Sequence, residues 1–156
     1  MIKNAILALL VAATFSQASA QSVNMRNAFR EMPDSLMPYL SKNNRLDFID
    51  FLDSGMKAEV KNQLGGTSHM LSIADDSLTI QMNPSLRVHM LAIDSVVAVV
   101  ETFLVDSIYG ESRVHYYSAS WHPIAQPELS AAQQQRIRRL ELQNIVKRDD
   151  DLLKKR

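Results

Sequence analysis

Residues 77–83 read Ser-Leu-Thr-Ile-Gln-Met-Asn, an unbroken alternation of polar and apolar side chains. Successive side chains of a β-strand point to opposite faces of its sheet, so the alternation predicts a strand with one buried and one solvated face. Two aspartates, Asp75 and Asp76, precede the stretch, and Asn-Pro-Ser at 83–85 ends it. Such residues favour turns. We therefore predict a strand that tight turns join to its neighbours.

Segments on both sides of this stretch also have the composition of strands. His69–Ile73 precedes it, and Leu86–Ile93, Val96–Val105 and Arg113–Trp121 follow it. Val96–Val105 is apolar on both faces apart from Glu101, which indicates a central strand. Connections this short permit only antiparallel neighbours, because a parallel crossover needs about a dozen residues or more. We therefore predict an antiparallel meander of roughly five strands.

The residues before the sheet have helical spacing instead. Leu36–Leu40 has room for one or two helical turns, and Asn43-Asn44 offers a predicted N-cap for an apolar stripe over Leu46–Leu52. Gly55 is a predicted terminator, and Met56–Leu64 has apolar residues at every fourth position, which predicts a further short helix. Two or three short helices packed on one face of the sheet make the fold class α+β.

The N-terminus has the composition of a secretory signal. A cationic start that contains Lys3 precedes an apolar run from Ala5 to Phe15, and Ala18 and Ala20 form a small-residue cleavage box. The run is too short to span a membrane, which takes about 20 apolar residues. We therefore predict a signal peptide over residues 1–20, cleavage near Ala20, and export to the periplasm or the outside of the cell.

The rest of the chain divides near Pro127. Residues 21–127 are long enough for a single α+β domain with its own core. Beyond them, Ser130 and Gln133 have the spacing of a capping box, and apolar residues recur later in the segment. We expect residues 128–156 to form either an amphipathic helix or a frayed tail.

Composition excludes several classes of function. The chain has no cysteine, which removes disulfides, thiolate metal sites and cysteine nucleophiles. Lys and Arg number 17, as do Asp and Glu, so no field of one sign favours nucleic acid. The residues after the signal contain no stretch that predicts a transmembrane segment, and no catalytic, nucleotide or metal motif occurs. The sequence therefore predicts no cofactor and no metal.

Six polar residues in predicted strands are candidates for acid–base catalysis or anion binding. They are His89, His115, Glu101, Arg87, Arg113 and Tyr117. Each histidine lies two residues after an arginine, so strand alternation places each His–Arg pair on one face. If both pairs share a face, a polar patch results. The alternative is an ordinary solvated sheet face, which we favour because no motif ties a nucleophile or carboxylate to the histidines.

Four segments together resemble a known family. They are Met32–Leu40 (MPDSLMPYL), Asn43–Gly66 (NNRLDFIDFLDSGMKAEVKNQLGG), Leu78–Met82 (LTIQM) and Tyr116–Trp121 (YYSASW). They resemble a domain-of-unknown-function family of small exported proteins from Gram-negative anaerobes of the Bacteroides group. The resemblance covers about Phe29 to Ile124 and leaves out the C-terminal tail. It implies export and a single domain, and it implies no activity or site residues.

These observations leave three hypotheses for function. The favoured one is a non-catalytic interaction or structural module of the periplasm or outer surface, with an envelope protein as its partner. The second is a small hydrolase or anion-binding protein that uses the polar patch, which requires those side chains to converge in one pocket. The third is a carrier of an apolar ligand, which requires a cavity of a few hundred Å³ between sheet and helices.

Overall fold

The computed structural model describes residues 22–104 and 110–141 of the chain. The helices are α1 (Met25–Glu31), a single 3₁₀ turn (Asp34–Leu36), α2 (Lys42–Asp53) and α3 (131–141). The strands are β1 (Glu59–Lys61), β2 (Thr67–Ile73), β3 (Ser77–Asn83), β4 (Leu86–Ile93), β5 (Val96–Leu104), β6 (Gly110–Ser118) and β7 (Pro123–Ile124).

All seven strands form one sheet whose spatial order is the order of the chain, and every neighbouring pair is antiparallel. The predicted α+β class and the antiparallel meander are therefore confirmed. Tight turns at Asp94-Ser95 and Pro84-Ser85 join the long strands β3, β4 and β5. The sheet has two strands more than we predicted, because β1 and β7 are too short for their alternation to be visible in the sequence.

The helix predicted over Met56–Leu64 is wrong, because part of this segment is strand β1. Val60 pairs with Ser68 of β2 and is buried, whereas Met56 and Leu64 are 52% and 62% exposed. The fourth-residue spacing of these apolar side chains therefore does not mark a buried stripe. Pairing with β2 decides the conformation, as tertiary contacts often override local propensity.

The turn between β1 and β2 is held by Asn62, which is buried. Its side-chain oxygen accepts hydrogen bonds from the N–H groups of Leu64 (3.1 Å) and Gly66 (3.0 Å). Its side-chain nitrogen donates to Ser68 Oγ (2.9 Å) and to the carbonyl of Met82 (3.2 Å). The side-chain amide of Asn62 thus provides the acceptor for the N–H groups of the turn and anchors the turn to the sheet. These bonds stabilise a hairpin where we predicted a helix.

Helix α2 is confirmed, with a different start. Ser41 is its N-cap, so the cap predicted at Asn43-Asn44 is wrong. The N–H of Asn44 donates to Ser41 Oγ (3.2 Å), and the N–H of Ser41 donates to Asn44 Oδ1 (3.2 Å). This reciprocal capping box satisfies both residues. The turn expected at Leu36–Leu40 is a 3₁₀ turn that lies slightly earlier, at Asp34–Leu36.

The main core lies between the sheet and helices α1 and α2. Phe29 of α1 and Phe48 of α2 have no exposed surface and share one apolar cluster with Ile80 and Met90 of the sheet. Trp121, which follows β6, belongs to the same cluster. The indole of Trp121 therefore completes the main core at the end of β6.

Arg45 of α2 is buried inside this layer at 1% exposure. Its guanidinium donates to the carbonyl of Leu40 (2.9 Å) and to that of Met32, and it forms an ion pair with Asp34 at 2.8 Å. These contacts tie the chain between α1 and α2 to α2 itself. A planar guanidinium with several donors suits this arrangement, because it can satisfy several acceptors from one position.

Helix α3 packs on the opposite face of the sheet. The Ser130–Gln133 capping box is confirmed, with 3.3 Å from the N–H of Gln133 to Ser130 Oγ and 2.8 Å from the N–H of Ser130 to Gln133 Oε1. Ile137 is buried in a second, smaller cluster of apolar residues. The cluster also contains Leu91, Ile93, Ala98 and Val100. The C-terminal segment is therefore helical and docked as far as residue 141.

The predicted signal peptide (1–20) and the later apolar positions of the C-terminal segment lie outside the described residues. Over 22–104 and 110–141, the structure contains no helix with the length and apolar character that crossing a membrane requires.

Candidate functional site

The register of β4, β5 and β6 divides the six candidate residues between two faces of the sheet. His89 pairs with Val100 and Val99 pairs with His115, so the two histidines point to opposite sides. Each His–Arg pair does share a face, as expected. The hypothesis that all six side chains converge in one pocket is wrong.

Four of the candidates lie on the face that also carries α1 and α2. They are Glu101, Arg113, His115 and Tyr117. The two helices pack over the β1–β4 half of that face, and β5 and β6 extend beyond them. We use the name β5–β6 patch for the exposed polar surface formed by Glu101, Glu111, Arg113 and His115.

Charges in the β5–β6 patch lie in opposite-sign pairs. His115 Nε2 lies 3.6 Å from Glu101 Oε2, and Arg113 Nε lies 3.2 Å from Glu111 Oε1. The Arg113 guanidinium also sits 5.6 Å from the centre of the Phe103 ring, within cation–π range. The side chains of Arg113 and Glu111 are 60% and 62% exposed. The patch is therefore an accessible surface of mixed charge.

Tyr117 borders the patch and joins it to the core. Its ring centre lies 5.7 Å from that of Trp121. The pKa of the Tyr117 hydroxyl is raised above its ordinary value of 10.0. Burial is the main cause, and the negative charge of Glu101 adds to it. The hydroxyl therefore stays protonated at neutral pH. It can donate a hydrogen bond there, and it cannot act as a base.

Glu101 and His115 lie on an exposed part of the sheet surface. A histidine beside a carboxylate has the parts of an acid–base pair, but such chemistry also needs a concave site that holds the substrate. Three grooves that are lined wholly by described residues include neither Glu101 nor His115. None of the three lies between the sheet and helices α1 and α2, where the carrier hypothesis requires a cavity.

The other two candidates, Arg87 and His89, lie on the face that carries α3. Thr79 Oγ1 lies 2.9 Å from Nδ1 of His89, and Arg87 Nε donates to Gln81 Oε1 at 2.7 Å. Burial lowers the pKa of Arg87 below its ordinary value, but a guanidinium still stays charged at neutral pH. These side chains are built into the sheet by cross-strand contacts.

A groove of about 270 Å³ lies between α3 and strands β3 and β4. Its polar lining includes Thr79 and His89 from the sheet and Arg136 and Arg139 from α3. We call it the α3 groove. The two arginines were not among the predicted site residues, although their spacing of three residues after a capping box places them on one side of a helix. Only the docking of α3 brings them to His89.

One of these arginines is already paired. Arg136 donates to Asp76 Oδ2 at 2.8 Å, and Ser77 Oγ donates to Asp76 Oδ1 at 3.0 Å. Two hydrogen bonds hold the pKa of Asp76 below its ordinary value of 3.8. The larger effect comes from Arg136 and the smaller one from Ser77. Asp76 is therefore ionised at neutral pH and fixes α3 to the β2–β3 turn.

The two edges of the sheet differ in how they are covered. At the β1 edge, Asn44 of α2 donates to the carbonyl of Lys61 at 3.3 Å. At the other edge, β7 pairs only with Tyr116 and Tyr117 of β6. Gly110–His115 therefore has no strand on its outer side among the described residues. We call this stretch the β6 edge.

The part of the chain that the structure describes contains no group of three or more His, Cys, Asp or Glu side chains arranged to hold a metal ion.

Among solved structures, the chain is similar to a domain of an uncharacterised protein from Porphyromonas gingivalis W83. The two share 22% sequence identity and superpose with a TM-score of 0.54, over 73% of this chain and 68% of that one. At this identity the likeness establishes the fold alone. No curated protein matches the chain.

A family model described as "Protein of unknown function (DUF3256)" matches residues 17–152. The match contains every helix and strand described above, α3 included. The expectation that the family likeness ends near Ile124 and leaves out the C-terminal segment is therefore wrong. Because the match covers far more than half of the sequence, the chain belongs to the DUF3256 family.

Proposed function

We propose that this protein is a non-catalytic interaction module that is exported and binds a protein partner in the periplasm or at the outer surface. The observation that carries the proposal is the β5–β6 patch, an exposed polar surface that α1 and α2 leave uncovered beside the open β6 edge. Surfaces of this kind are typical of sites where another chain adds to a sheet or docks on it.

The charges of the patch indicate the kind of partner. Two carboxylates, Glu101 and Glu111, alternate with Arg113 and His115 within a small area. A surface of mixed charge complements a protein surface that carries the opposite charge at each contact. A partner that docks in the wrong register brings like charges together and is repelled. The mixed charge gives no preference for nucleic acid, whose phosphates require a surface of one sign.

Export is part of the proposal and is supported by the sequence of residues 1–20. The cationic start, the apolar run and the small residues Ala18 and Ala20 are the parts that signal peptidase substrates share. Absence of cysteine is compatible with this compartment, because a core formed by Phe29, Phe48 and Trp121 does not depend on disulfides.

Site-specific photocrosslinking tests the proposal. A benzophenone amino acid replaces His115 in the patch or, as the control, the exposed Asp47 on α2. We expect light-dependent adducts from position 115 in cells that produce the protein, at several times the yield from position 47. Equal yields from both positions would show that the patch is no preferred contact surface.

Anion binding in the α3 groove is a second candidate, favoured by the approach of Arg136 and Arg139 to His89. A compact anion such as pyrophosphate fits two guanidinium groups. We expect pyrophosphate to raise the melting temperature of the wild type and of Arg138→Ala, whose side chain lines a different groove. Arg139→Ala should lose this effect. An equal response of all three proteins would rule out the groove as the site.

A further inference from the structure

The backbone of the β6 edge has a fixed hydrogen-bonding direction. The N–H of Ser118 donates to the carbonyl of His122 at 2.9 Å, so the backbone polar groups of Ser118 point away from β5. Alternate residues of an antiparallel strand bond to alternate sides. Counting back by two, Gly110, Ser112 and Val114 also point their N–H and C=O groups outward. The β6 edge therefore presents a row of donors and acceptors to an incoming strand.

At the opposite edge of the sheet, the outer side of β1 is covered by α2 and by the segment that precedes it. Besides the bond from Asn44 to Lys61, the N–H of Gln63 donates to the carbonyl of Tyr39 at 2.9 Å. Natural sheets cover or charge their edges because an open edge recruits other chains. Among the described residues, β7 pairs with β6 only at Tyr116 and Tyr117, and no strand pairs with the outer side of Gly110–His115.

The charges on the β6 edge complement themselves. Glu111 and Arg113 flank Ser112 and lie on the same face of the strand. When two copies of β6 pair antiparallel about Ser112, Glu111 of each copy lies opposite Arg113 of the other. Both positions form non-hydrogen-bonded pairs, where cross-strand side chains approach most closely. Moving the centre by one residue places Arg113 opposite Arg113, which is repulsive.

We propose that the partner of the β6 edge is a second copy of this chain, paired antiparallel through Gly110–Val114 with Ser112 on the two-fold axis. The proposal rests on the interaction function proposed above and names its partner. Pairing extends the seven-stranded sheet across the dimer axis, and β7 at Tyr116 limits the overlap. Because so short an overlap buries little surface, the dimer dissociates on dilution.

A single cysteine reports the predicted register, since the chain has none of its own. Directly opposite residues of a hydrogen-bonded pair have Cα atoms about 5.5 Å apart, which a disulfide can bridge. We expect mild oxidation of Ser112→Cys to give a covalent dimer of the purified chain. Ser72→Cys, an exposed position on β2, is the matched control and should stay monomeric.

Charge exchange tests the same register without a covalent bond. Glu111→Arg and Arg113→Glu each replace two opposite-charge pairs with two like-charge pairs, and each should weaken dimerisation about tenfold in sedimentation equilibrium. The double variant restores the pairs with the signs exchanged and should dimerise like the wild type. Positions 111 and 113 are both solvent-exposed, so these substitutions should not change the fold. Circular dichroism of each variant checks this.

The outcomes separate this inference from the proposed function. A wild-type chain that remains monomeric at high concentration overturns the β6 pairing. If the probe at position 115 then captures a different protein, the interaction function stands with another partner. A dimer that forms equally well in the single charge variants also overturns the proposed register. If position 115 yields no adduct and the chain is monomeric, both proposals are wrong.

Discussion

The indole Nε1 of Trp121 donates a hydrogen bond to the backbone carbonyl of Ala28 across a distance of 2.9 Å and a separation of 93 residues in sequence. This bond joins the segment after β6 to helix α1. Trp121 itself has a φ of 64°, a region that is unfavourable for a residue with a side chain. Burial of the indole in the main core offsets that strain, so Trp121 connects the two ends of the domain.

Replacement of Trp121 should therefore be costly. Trp121→Ala removes a buried aromatic side chain and should lower the free energy of unfolding by about 3–5 kcal/mol. Trp121→Phe retains much of the packing but leaves the Ala28 carbonyl without its donor, and we expect a loss of about 1–3 kcal/mol. Urea denaturation followed by circular dichroism measures both. A Trp121→Phe variant as stable as the wild type would show that the hydrogen bond to Ala28 contributes nothing.

Arg45 should act as a structural residue. Arg45→Met keeps an apolar stem but removes the donors to the carbonyls of Leu40 and Met32, so we expect a loss of about 3 kcal/mol or more in urea denaturation. Lys42→Met, which removes only an exposed ion pair with Glu31, should change stability by less than about 0.5 kcal/mol. Similar results for both variants would contradict the structural role of Arg45.

Asn62 should be needed for the β1–β2 hairpin. In Asn62→Ala the amides of Leu64 and Gly66 lose their acceptor, and a buried site loses its polar group. We expect about 2–3 kcal/mol of destabilisation and faster hydrogen exchange at these two amides. The exposed neighbour variant Gln63→Ala should leave both exchange rates unchanged. Unaltered protection in Asn62→Ala would mean that strand pairing alone holds the turn.

The Asp76–Arg136 pair should make a pH-dependent contribution to stability. The pKa of Asp76 is lower in the folded chain than its ordinary 3.8, so the contribution is complete above that value. It is lost as pH falls through the lowered folded pKa. Arg136→Gln should therefore be less stable than the wild type at pH 6, by at most about 1 kcal/mol because the pair is exposed.

Thermal melts across pH measure this difference, with Arg138→Gln as the control. The gap between wild type and Arg136→Gln should stay constant from pH 6 to about pH 3.8 and should shrink as the pH falls further. A gap that stays constant to pH 2 would assign the stabilisation to packing of the arginine stem rather than to the ion pair.

Export predicts a defined N-terminus. Mass spectrometry of the protein from the envelope fraction should find Gln21 as the first residue. Ala20→Trp should leave the precursor uncleaved, because the bulky side chain does not fit a small-residue cleavage box, whereas Ser19→Trp should still be processed. A wild-type chain that retains residues 1–20 would refute the predicted signal peptide.

Much of the sheet could be predicted from local sequence. Alternation over 77–83 and the short turns around Leu86–Ile93 sufficed for β3, β4 and their antiparallel pairing. The same local rules failed for Met56–Leu64, where helical spacing of apolar residues coincides with strand β1. A three-residue strand has too few positions for its period to be visible, and its conformation is fixed by β2.

The candidate site was predicted only in part. Spacing alone placed Arg113 with His115 and Arg87 with His89, and both pairs do share a face. Which pairs meet across strands depends on register, and a shift of one residue in register turns every side chain to the other face. The sequences of the individual strands contain no signal that fixes the register between them.

The sequence by itself determined the strand periodicity, the order of the meander and the capping box of α3, because these depend on residues that are close along the chain. Tertiary structure alone decided that His89 and His115 face opposite ways and that Arg139 joins His89 in one groove. It also decided that, among the described residues, no strand pairs with the outer side of the β6 edge. The physical reason is that register, docking and edge cover are contacts between distant segments, whose free energy depends on packing in three dimensions rather than on local order.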